Sequence, residues 1–242
     1  MTTPLPYEIL SPSLAPQDND FGQPIGKAVP DWRGCERLPS VELVGRTCRV
    51  APFHADHAGP LFDAFAADDG RMWTYLPYGP FADSAMLKAS IAAYAETRDF
   101  HTFTIFAGGR PLGYASFLRY DCPNGSVEVG GVTFSPALQR TVAATEAMYL
   151  MMRHAFDHGY RRYEWKCDQL NVPSNRAALR LGFQFEGVFR NALVREGHRR
   201  DTAWYALIVE DWPQARKGLE GWLDPANFDE DGRQRTALSS KD

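Results

Sequence analysis

The chain has 242 residues, which is enough for one large domain with extensions or for two small domains, and its 44% hydrophobic residues can fill a sizeable core. With 26 Lys and Arg residues against 30 Asp and Glu residues, the net charge of −4 argues against nucleic-acid binding and suits a cationic substrate such as an amine. The 4 cysteines form no Cys-x-x-Cys pair and no segment has membrane-spanning length, so we expect a cytoplasmic protein with reduced thiols, no metal site and no membrane contact.

The N-terminal region is rich in proline and glycine and lacks a sustained hydrophobic period. We therefore expect residues 1–38 to form an N-terminal extension in front of the folded domain. The domain itself is expected over residues 39–212, and residues 213–242 are expected to add a C-terminal helix and a tail. Regular structure begins with two strand pieces in residues 41–52, which are joined near Gly45.

The spacing of apolar residues predicts helices over residues 56–67 and 84–97. The sequence between them, RMWTYLPYGPF over residues 71–81, is called the aromatic loop below. Its rings either cap the hydrophobic core or form the wall of a substrate pocket, because binding pockets are mostly apolar with a few polar groups. The candidate substrate-binding residues of this loop are Trp73, Tyr75, Tyr78 and Phe81.

The remaining elements alternate between strand and helix periods. The predicted elements are strands 102–107, 111–120 and 127–134, helix 141–158, strand 163–168, a helix in 174–183, strands 183–195 and 202–209, and the C-terminal helix 213–223. The Gly130-Gly131 pair inside the third of these strands allows a bulge and the close approach of a ligand.

The predicted helix 141–158 begins like an anion-binding site. The first turn holds small or β-branched residues from Thr141 to Thr145, and Arg140 precedes it, so the unpaired backbone N–H groups stay accessible to a phosphate. The chain has neither a G-x-x-x-x-G-K-[ST] sequence nor a G-x-G-x-x-G sequence after a strand. A nucleotide triphosphatase and a Rossmann dehydrogenase are therefore disfavoured.

Three motifs in order resemble the GNAT family of acyl-CoA-dependent N-acetyltransferases. The run Gln139-Arg140-Thr141-Val142-Ala143-Ala144 resembles the family's [Q/R]-x-x-G-x-[G/A] helix start, with valine in place of the central glycine. Asn171-Val172-Pro173-Ser174 looks like the N-x-x-S that follows the next strand, and Leu181-Gly182-Phe183 like the L-G-F that ends the following helix. The resemblance covers residues 41–212 and points to the RimJ/RimL-like branch, which is related to ribosomal-protein N-terminal acetyltransferases.

The resemblance implies an α+β fold whose mixed, mostly antiparallel sheet is splayed between two parallel strands, 127–134 and 163–168, and flanked by helices. It also implies acetyl-CoA as a co-substrate. Asn171 would hold the pantetheine amide, and a backbone N–H near Val132 would meet the developing oxyanion. The residues expected to bind acetyl-CoA are Val132, Thr133, Phe134, Gln139, Arg140, Thr141, Val142, Ala143, Ala144, Thr145, Asn171 and Ser174.

Acyl transfer needs a base for the amine and an acid for the leaving thiolate. The carboxylates near the splay are Glu128, Glu164 and Asp168, and we expect Glu128 to be the base through a water molecule; the alternative is a structural or solvated carboxylate. Many family members place a tyrosine on the second helix as the acid, but this helix has none, so Ser174 is the expected substitute.

The expected function is therefore acetyl transfer to a primary amine by direct attack in a ternary complex. The acceptor stays open between a protein N-terminus, a polyamine or other small amine, and an aminoglycoside, and a homodimer is left open. The alternative function is a catalytically silent acyl-CoA-binding or sensor module, because Val142 and the missing tyrosine both depart from the family pattern.

Overall fold

The computed structural model describes residues 15–238, so the first 14 residues of the expected N-terminal extension lie outside the described range. The chain divides into two compact units, residues 1–34 and 35–242. The described residues of the first unit include two short antiparallel strands, β1 (Gln17–Asp18) and β2 (Pro24–Ile25).

The described residues of the second unit form an eight-stranded sheet and five α-helices. The strands are β3 Leu43–Val44, β4 Cys48–Pro52, β5 His101–Ala107, β6 Arg110–Asp121, β7 Ser126–Phe134, β8 Arg162–Asp168, β9 Gln184–Arg195 and β10 His198–Ile208. The helices are α1 Ala58–Phe65, α2 Ser84–Arg98, α3 Val142–Asp157, α4 Val172–Arg180 and α5 Trp212–Leu223. None of the helices in the described range is long and apolar enough to cross a membrane.

The strand order is β3-β4-β5-β6-β7-β8-β10-β9. Within this described sheet β7 and β8 run parallel, and the other neighbours run antiparallel. The expected α+β fold with a mixed, mostly antiparallel sheet is therefore confirmed. The predicted helices and strands are also present, with shifts at their ends; the helix expected from residue 56 starts with a 3-10 turn at Ala55–His57 and continues as α1.

The sheet carries a hydrophobic core on each face because successive strand residues point to opposite sides. Phe103 and Ile105 of β5 belong to the main core, which includes the buried faces of α3 and α5. The second core lies between α1, α2 and β6, and its buried members are Leu61, Phe65, Trp73, Leu87, Ile91 and Tyr114.

The same alternation continues through β8. Tyr163, Trp165 and Cys167 belong to the main core. Residues 164 and 166 lie between them in the strand and therefore face the other side of the sheet. This polar side of β7 and β8 is where the candidate site lies.

Candidate active site

The centre of the site is a gap between the two parallel strands. In the described strands, β7 and β8 pair from Ser126 with Arg162 to Val129 with Trp165, and no further. Residues 130–134 and 166–168 lie beyond the last pair, and we call the opening between them the splay. The splay is the feature that the family resemblance predicted for these two strands.

A β-bulge shapes the β7 side of the splay. Between the pairs Tyr114 with Thr133 and Ser116 with Gly130, β7 has one residue more than β6. Gly131 lies in this bulge with a φ of 59°, a left-handed conformation that glycine adopts without a steric penalty. The bulge therefore begins directly after Gly130, where the Gly130-Gly131 pair of the sequence allows it.

Tyr78 ties the aromatic loop to this bulge. Its hydroxyl lies 3.2 Å from the carbonyl oxygen of Gly131 and 3.1 Å from the hydroxyl of Thr133. Burial raises the pKa of Tyr78, so the phenol remains protonated and can donate a hydrogen bond. Of the expected substrate-binding residues, Tyr78 is the one placed directly against the splay strand.

The other rings of the aromatic loop differ in their surroundings. Trp73 is only 8% exposed and belongs to the second core. Of the two alternatives for the loop rings, Trp73 therefore fits the one in which the ring caps the core. Phe81 packs edge-to-face on Trp73 and stacks on Tyr78, with ring centroids 5.3 and 6.2 Å apart. Tyr75 reaches the connection between β8 and α4, where its hydroxyl donates to the carbonyl oxygen of Leu170 (3.2 Å).

The loop that enters α3 is held by its own side chains. The side-chain nitrogen of Gln139 donates to the carbonyl oxygen of Phe134 (2.9 Å). The hydroxyl of Thr141 caps the helix by accepting from the backbone N–H of Ala144 (3.1 Å). Arg140, between these two anchors, is exposed and has a φ of 61°.

The start of α3 has the properties of an anion site. Among the residues that the structure describes, no hydrogen bond satisfies the backbone N–H groups of Val142 and Ala143. The side chains of Ala143, Ala144 and Thr145 are buried, and Val142 is half-buried and packs against the main core. The first turn of α3 therefore carries no large exposed side chain over its free amides, although valine replaces the family's glycine.

The N-x-x-S motif begins α4 beside the splay. Asn171 caps the helix, and its side-chain oxygen accepts from the backbone N–H of Ser174 (3.2 Å). The indole N–H of Trp165, the last β8 residue paired with β7, donates to the hydroxyl oxygen of Ser174 (3.1 Å). Ser174 is therefore held at the point where the strands separate, with its own proton available to another acceptor.

Asn175 holds the start of α4 beside the splay and was not among the residues expected from the motifs. Its side-chain nitrogen donates to the carbonyl oxygen of Asn171 (2.7 Å), and its side-chain oxygen accepts from the hydroxyl of Tyr205 (2.5 Å). These bonds tie the start of α4 to β10. The sequence offered one indication of this role: an asparagine directly follows the N-x-x-S motif, and its short side-chain amide readily bonds to nearby backbone groups.

The candidate base is part of a buried ionic cluster. Glu128 is paired with Lys166 (2.7 Å) and Arg119 (3.3 Å), and Lys166 also pairs with Glu164 (2.7 Å) and lies 3.7 Å from the ring centre of Trp204. The pKa of Glu128 is raised, because burial outweighs the lowering effect of Lys166 and Arg119. Lys166 was not among the residues expected from the sequence, although the strand alternation places it on the same face as Glu164.

Asp168, the third carboxylate considered, lies at the end of β8. It is paired with Arg200 of β10, with 3.6 Å between the guanidinium Nε and the carboxylate oxygen. Glu128 differs from Glu164 and Asp168 in lying on β7, one residue before the last β7–β8 pair, Val129 with Trp165.

The chain is similar to known acetyltransferases. Residues 48–184 match the family described as Acetyltransferase (GNAT) domain. A GCN5-related N-acetyltransferase from Brucella melitensis, known from a crystal structure, is 36% identical to this chain in sequence. The two structures have a TM-score of 0.83, and the match covers 86% of this chain and 96% of that chain.

Two curated proteins are also similar. The uncharacterized N-acetyltransferase YnaD of Bacillus subtilis is 28% identical over 102 residues, which are 42% of this chain. The ribosomal-protein-serine acetyltransferase of Escherichia coli is 30% identical over 109 residues, 45% of this chain, and is consistent with a RimJ/RimL-like branch. The chain spans 59% and 60% of the lengths of these two relatives. The family match, which covers more than half of the chain, shows that this protein belongs to the GNAT family of acetyltransferases.

Proposed function

We propose that this chain transfers an acetyl group from acetyl-CoA to a primary amine by direct attack in a ternary complex. The observation that carries the proposal is the splay between β7 and β8, with the bulge at Gly131 on one side and the capped start of α4 on the other. Membership of an acetyl-CoA-dependent family supports the choice of acyl donor.

The residues around the splay fit acetyl-CoA. The free amides of Val142 and Ala143 and the guanidinium of Arg140 would hold the pyrophosphate, since a helix start favours anions. The backbone of residues 132–134 would pair with the pantetheine arm, and Asn171 would bind its amide. No metal is needed for this reaction.

In the proposed reaction the amine nitrogen attacks the thioester carbonyl carbon. A C–N bond forms, the C–S bond breaks, and the proton of the amine passes through water to Glu128. The backbone N–H of Val132 stabilises the oxyanion, and the hydroxyl of Ser174 supplies a proton to the CoA thiolate. Proton exchange with solvent then restores the Ser174 hydroxyl and the Glu128 carboxylate. Tyr78 and its neighbours Tyr75 and Phe81 would line the approach of the amine.

A protein N-terminus is the first acceptor to test. The Escherichia coli relative is named as a ribosomal-protein-serine acetyltransferase, and an α-amino group of pKa about 7.8 costs only about 1 kcal/mol to deprotonate at pH 7. A lysine-like amine of pKa about 10.4 costs about 4.6 kcal/mol, so polyamines and aminoglycosides would depend more strongly on the base. Association into a homodimer is a separate proposal that sedimentation would test.

Calorimetry with acetyl-CoA tests the donor site. We expect Arg140→Glu and Ala143→Glu to weaken binding about tenfold or more, because each puts a negative charge at the phosphate site. Arg110→Glu, which changes an exposed arginine at the start of β6, is the matched control and should bind like the wild type. A wild-type protein that binds no acetyl-CoA would contradict the proposal.

A panel of amines and peptide N-termini, followed by thiol detection and mass spectrometry, tests the reaction. Acetyl-CoA binding without thiol release for any amine would favour the silent module. Ser174→Ala should lower turnover more than acetyl-CoA affinity if the serine is the acid. Equal losses in turnover and affinity would assign Ser174 to anchoring alone.

A further inference from the structure

The two carboxylate oxygens of Glu128 have different surroundings. Oε2 lies 2.7 Å from the ammonium of Lys166 and 3.3 Å from Nε of Arg119. Within the described part of the chain no hydrogen bond reaches Oε1. Oε1 instead borders the strand, because a Cβ atom built on Gly130 would lie 3.2 Å from it. The unbonded oxygen therefore lies against the first residue of β7 beyond the last pair with β8.

Lys166 is itself held from several sides. It is the first residue of β8 beyond the last pair, and its side chain is 9% exposed. Its ammonium bonds to Glu128 and Glu164, each at 2.7 Å, and lies 3.7 Å from the centre of the Trp204 ring. Two carboxylates and an aromatic face thus satisfy the charge and fix its direction.

We propose that Lys166 is a positioning residue that holds Oε2 of Glu128 and so directs Oε1 toward the amine at the splay. The inference rests on the proposed function, in which Glu128 accepts the proton of the amine. A free carboxylate on a β-strand could rotate about its side-chain torsions, whereas a carboxylate with one oxygen bound to two cations cannot turn that oxygen away without losing both contacts.

The same contact favours the charged form of the base. The charged groups that face Glu128 are Arg119 from β6 and Lys166 and Glu164 from β8, and the neighbouring β10 side chain, Trp204, is uncharged. Without Lys166, the carboxylate would be left buried opposite Glu164 with Arg119 as its remaining cation. Burial and like-charge repulsion would then favour the protonated form of Glu128, which cannot accept a proton.

The test compares Lys166→Met with Lys166→Arg, using steady-state kinetics over a range of pH with acetyl-CoA and an amine that the wild type acetylates. We expect Lys166→Met to lower kcat about tenfold or more at pH 7, with acetyl-CoA affinity close to wild type. The acidic limb of its kcat/KM profile should move to higher pH by about one unit or more, and Lys166→Arg should restore most of that shift.

Glu164→Gln is the matched control, because it removes the other carboxylate bound to the same lysine. Loss of this contact should lower thermal stability, yet the acidic limb should not move to higher pH. A shift in Glu164→Gln as large as that in Lys166→Met would overturn the inference, since it would show a general response to damage in the cluster.

Gly130→Ala keeps the test decisive if Lys166→Met does not fold. The new methyl group would lie 2.9 Å from Cδ2 of Leu118 and 3.2 Å from Oε1, and it would leave the Oε2 contact in place. We therefore expect a lower kcat with acetyl-CoA affinity retained. Wild-type turnover in Gly130→Ala, or a wild-type acidic limb in a folded Lys166→Met, would overturn the inference while acetyl transfer by the wild type still stands. A wild type that acetylates no amine would instead overturn the proposed function, and this inference with it.

Discussion

At the scale of single residues, Glu146 of α3 shows how one buried carboxylate joins two distant parts of the chain. Its Oε2 accepts hydrogen bonds from the backbone N–H (2.6 Å) and the hydroxyl (2.5 Å) of Thr47, and its Oε1 accepts from the backbone N–H of Arg46 (2.8 Å). A Cβ atom on Gly45 would lie 2.6 Å from the carboxyl carbon, so only glycine leaves room for it. Glu146 therefore fastens the turn between β3 and β4 to the central helix.

Replacing this carboxylate should destabilise the fold. We expect Glu146→Ala to lower the free energy of unfolding in urea by about 3 kcal/mol, because several buried donors lose a charged acceptor. Thr47→Ala removes the hydroxyl but keeps the backbone bonds and should cost about 1 kcal/mol. Equal losses in the two variants would contradict the role of Glu146 as the common acceptor.

The same contacts predict a pH dependence. Burial raises the pKa of Glu146, but the hydrogen bonds from Thr47, Arg46 and Cys48 outweigh burial and lower it overall. A carboxyl with a lowered folded pKa stabilises the protein above its unfolded pKa of about 4.3, and this contribution is lost as the pH falls through the folded pKa. The difference in stability between wild type and Glu146→Ala should therefore shrink on acidification, and a difference that stays constant down to acid unfolding would argue against this assignment.

At the scale of elements, a second glycine allows the effect of the β7 bulge on activity to be distinguished from the effect of its left-handed backbone on stability. Gly131 and Gly108 have similar left-handed φ values of 59° and 56°. A Cβ atom on Gly108 would meet nothing within 4 Å, whereas one on Gly131 would lie 3.3 Å from both the Tyr78 hydroxyl and Phe100. The two glycines therefore differ in their contacts and hardly in their conformation.

Replacing each of these glycines with alanine should distinguish a loss of stability from a loss of activity. Both Gly131→Ala and Gly108→Ala should cost about 1 to 2 kcal/mol of stability from the left-handed conformation. We expect Gly131→Ala alone to lower kcat/KM as well, because it pushes on Tyr78 and shifts the bulge. Thermal melts and steady-state kinetics measure both effects, and the same kcat/KM in both variants would show that the bulge does not shape the site.

At the scale of the whole molecule, the main core extends beyond residues 39–212 at both ends. The main core includes Leu38 and the α5 residues Trp212, Leu219, Trp222 and Leu223. The expected domain, residues 39–212, would stop at the first residue of α5. The buried side of α5 is thus part of the core.

Two truncations test this division of the chain. We expect residues 35–242 to unfold cooperatively and bind acetyl-CoA like the full chain, because this unit contains both cores and the splay. Residues 35–211 should not fold stably, since each buried side chain of α5 contributes about 1.5 to 3 kcal/mol against a typical total of about 5 to 15 kcal/mol. Circular dichroism during heating measures both, and a cooperative transition of residues 35–211 at the temperature of the full chain would contradict the prediction.

The sequence alone determined the order of the elements and the local parts of the site. Apolar spacing and turn residues act over a few positions, so the strands, the helices and the capped starts of α3 and α4 could be predicted from short stretches around Thr141 and Asn171. The short N-x-x-S motif predicted Ser174 near the splay, and the predicted strand 127–134 did the same for Glu128.

Only the tertiary structure decided which of these residues meet. Lys166 pairs with Glu128 across 38 positions of sequence, Tyr78 reaches Gly131 across 53, and Thr47 reaches Glu146 across 99. Such contacts depend on strand order, on register and on the extra residue of a bulge, none of which a local pattern encodes. For the same reason the composition of the aromatic loop could not separate Trp73, which is buried in the second core, from Tyr78, which lies against the splay.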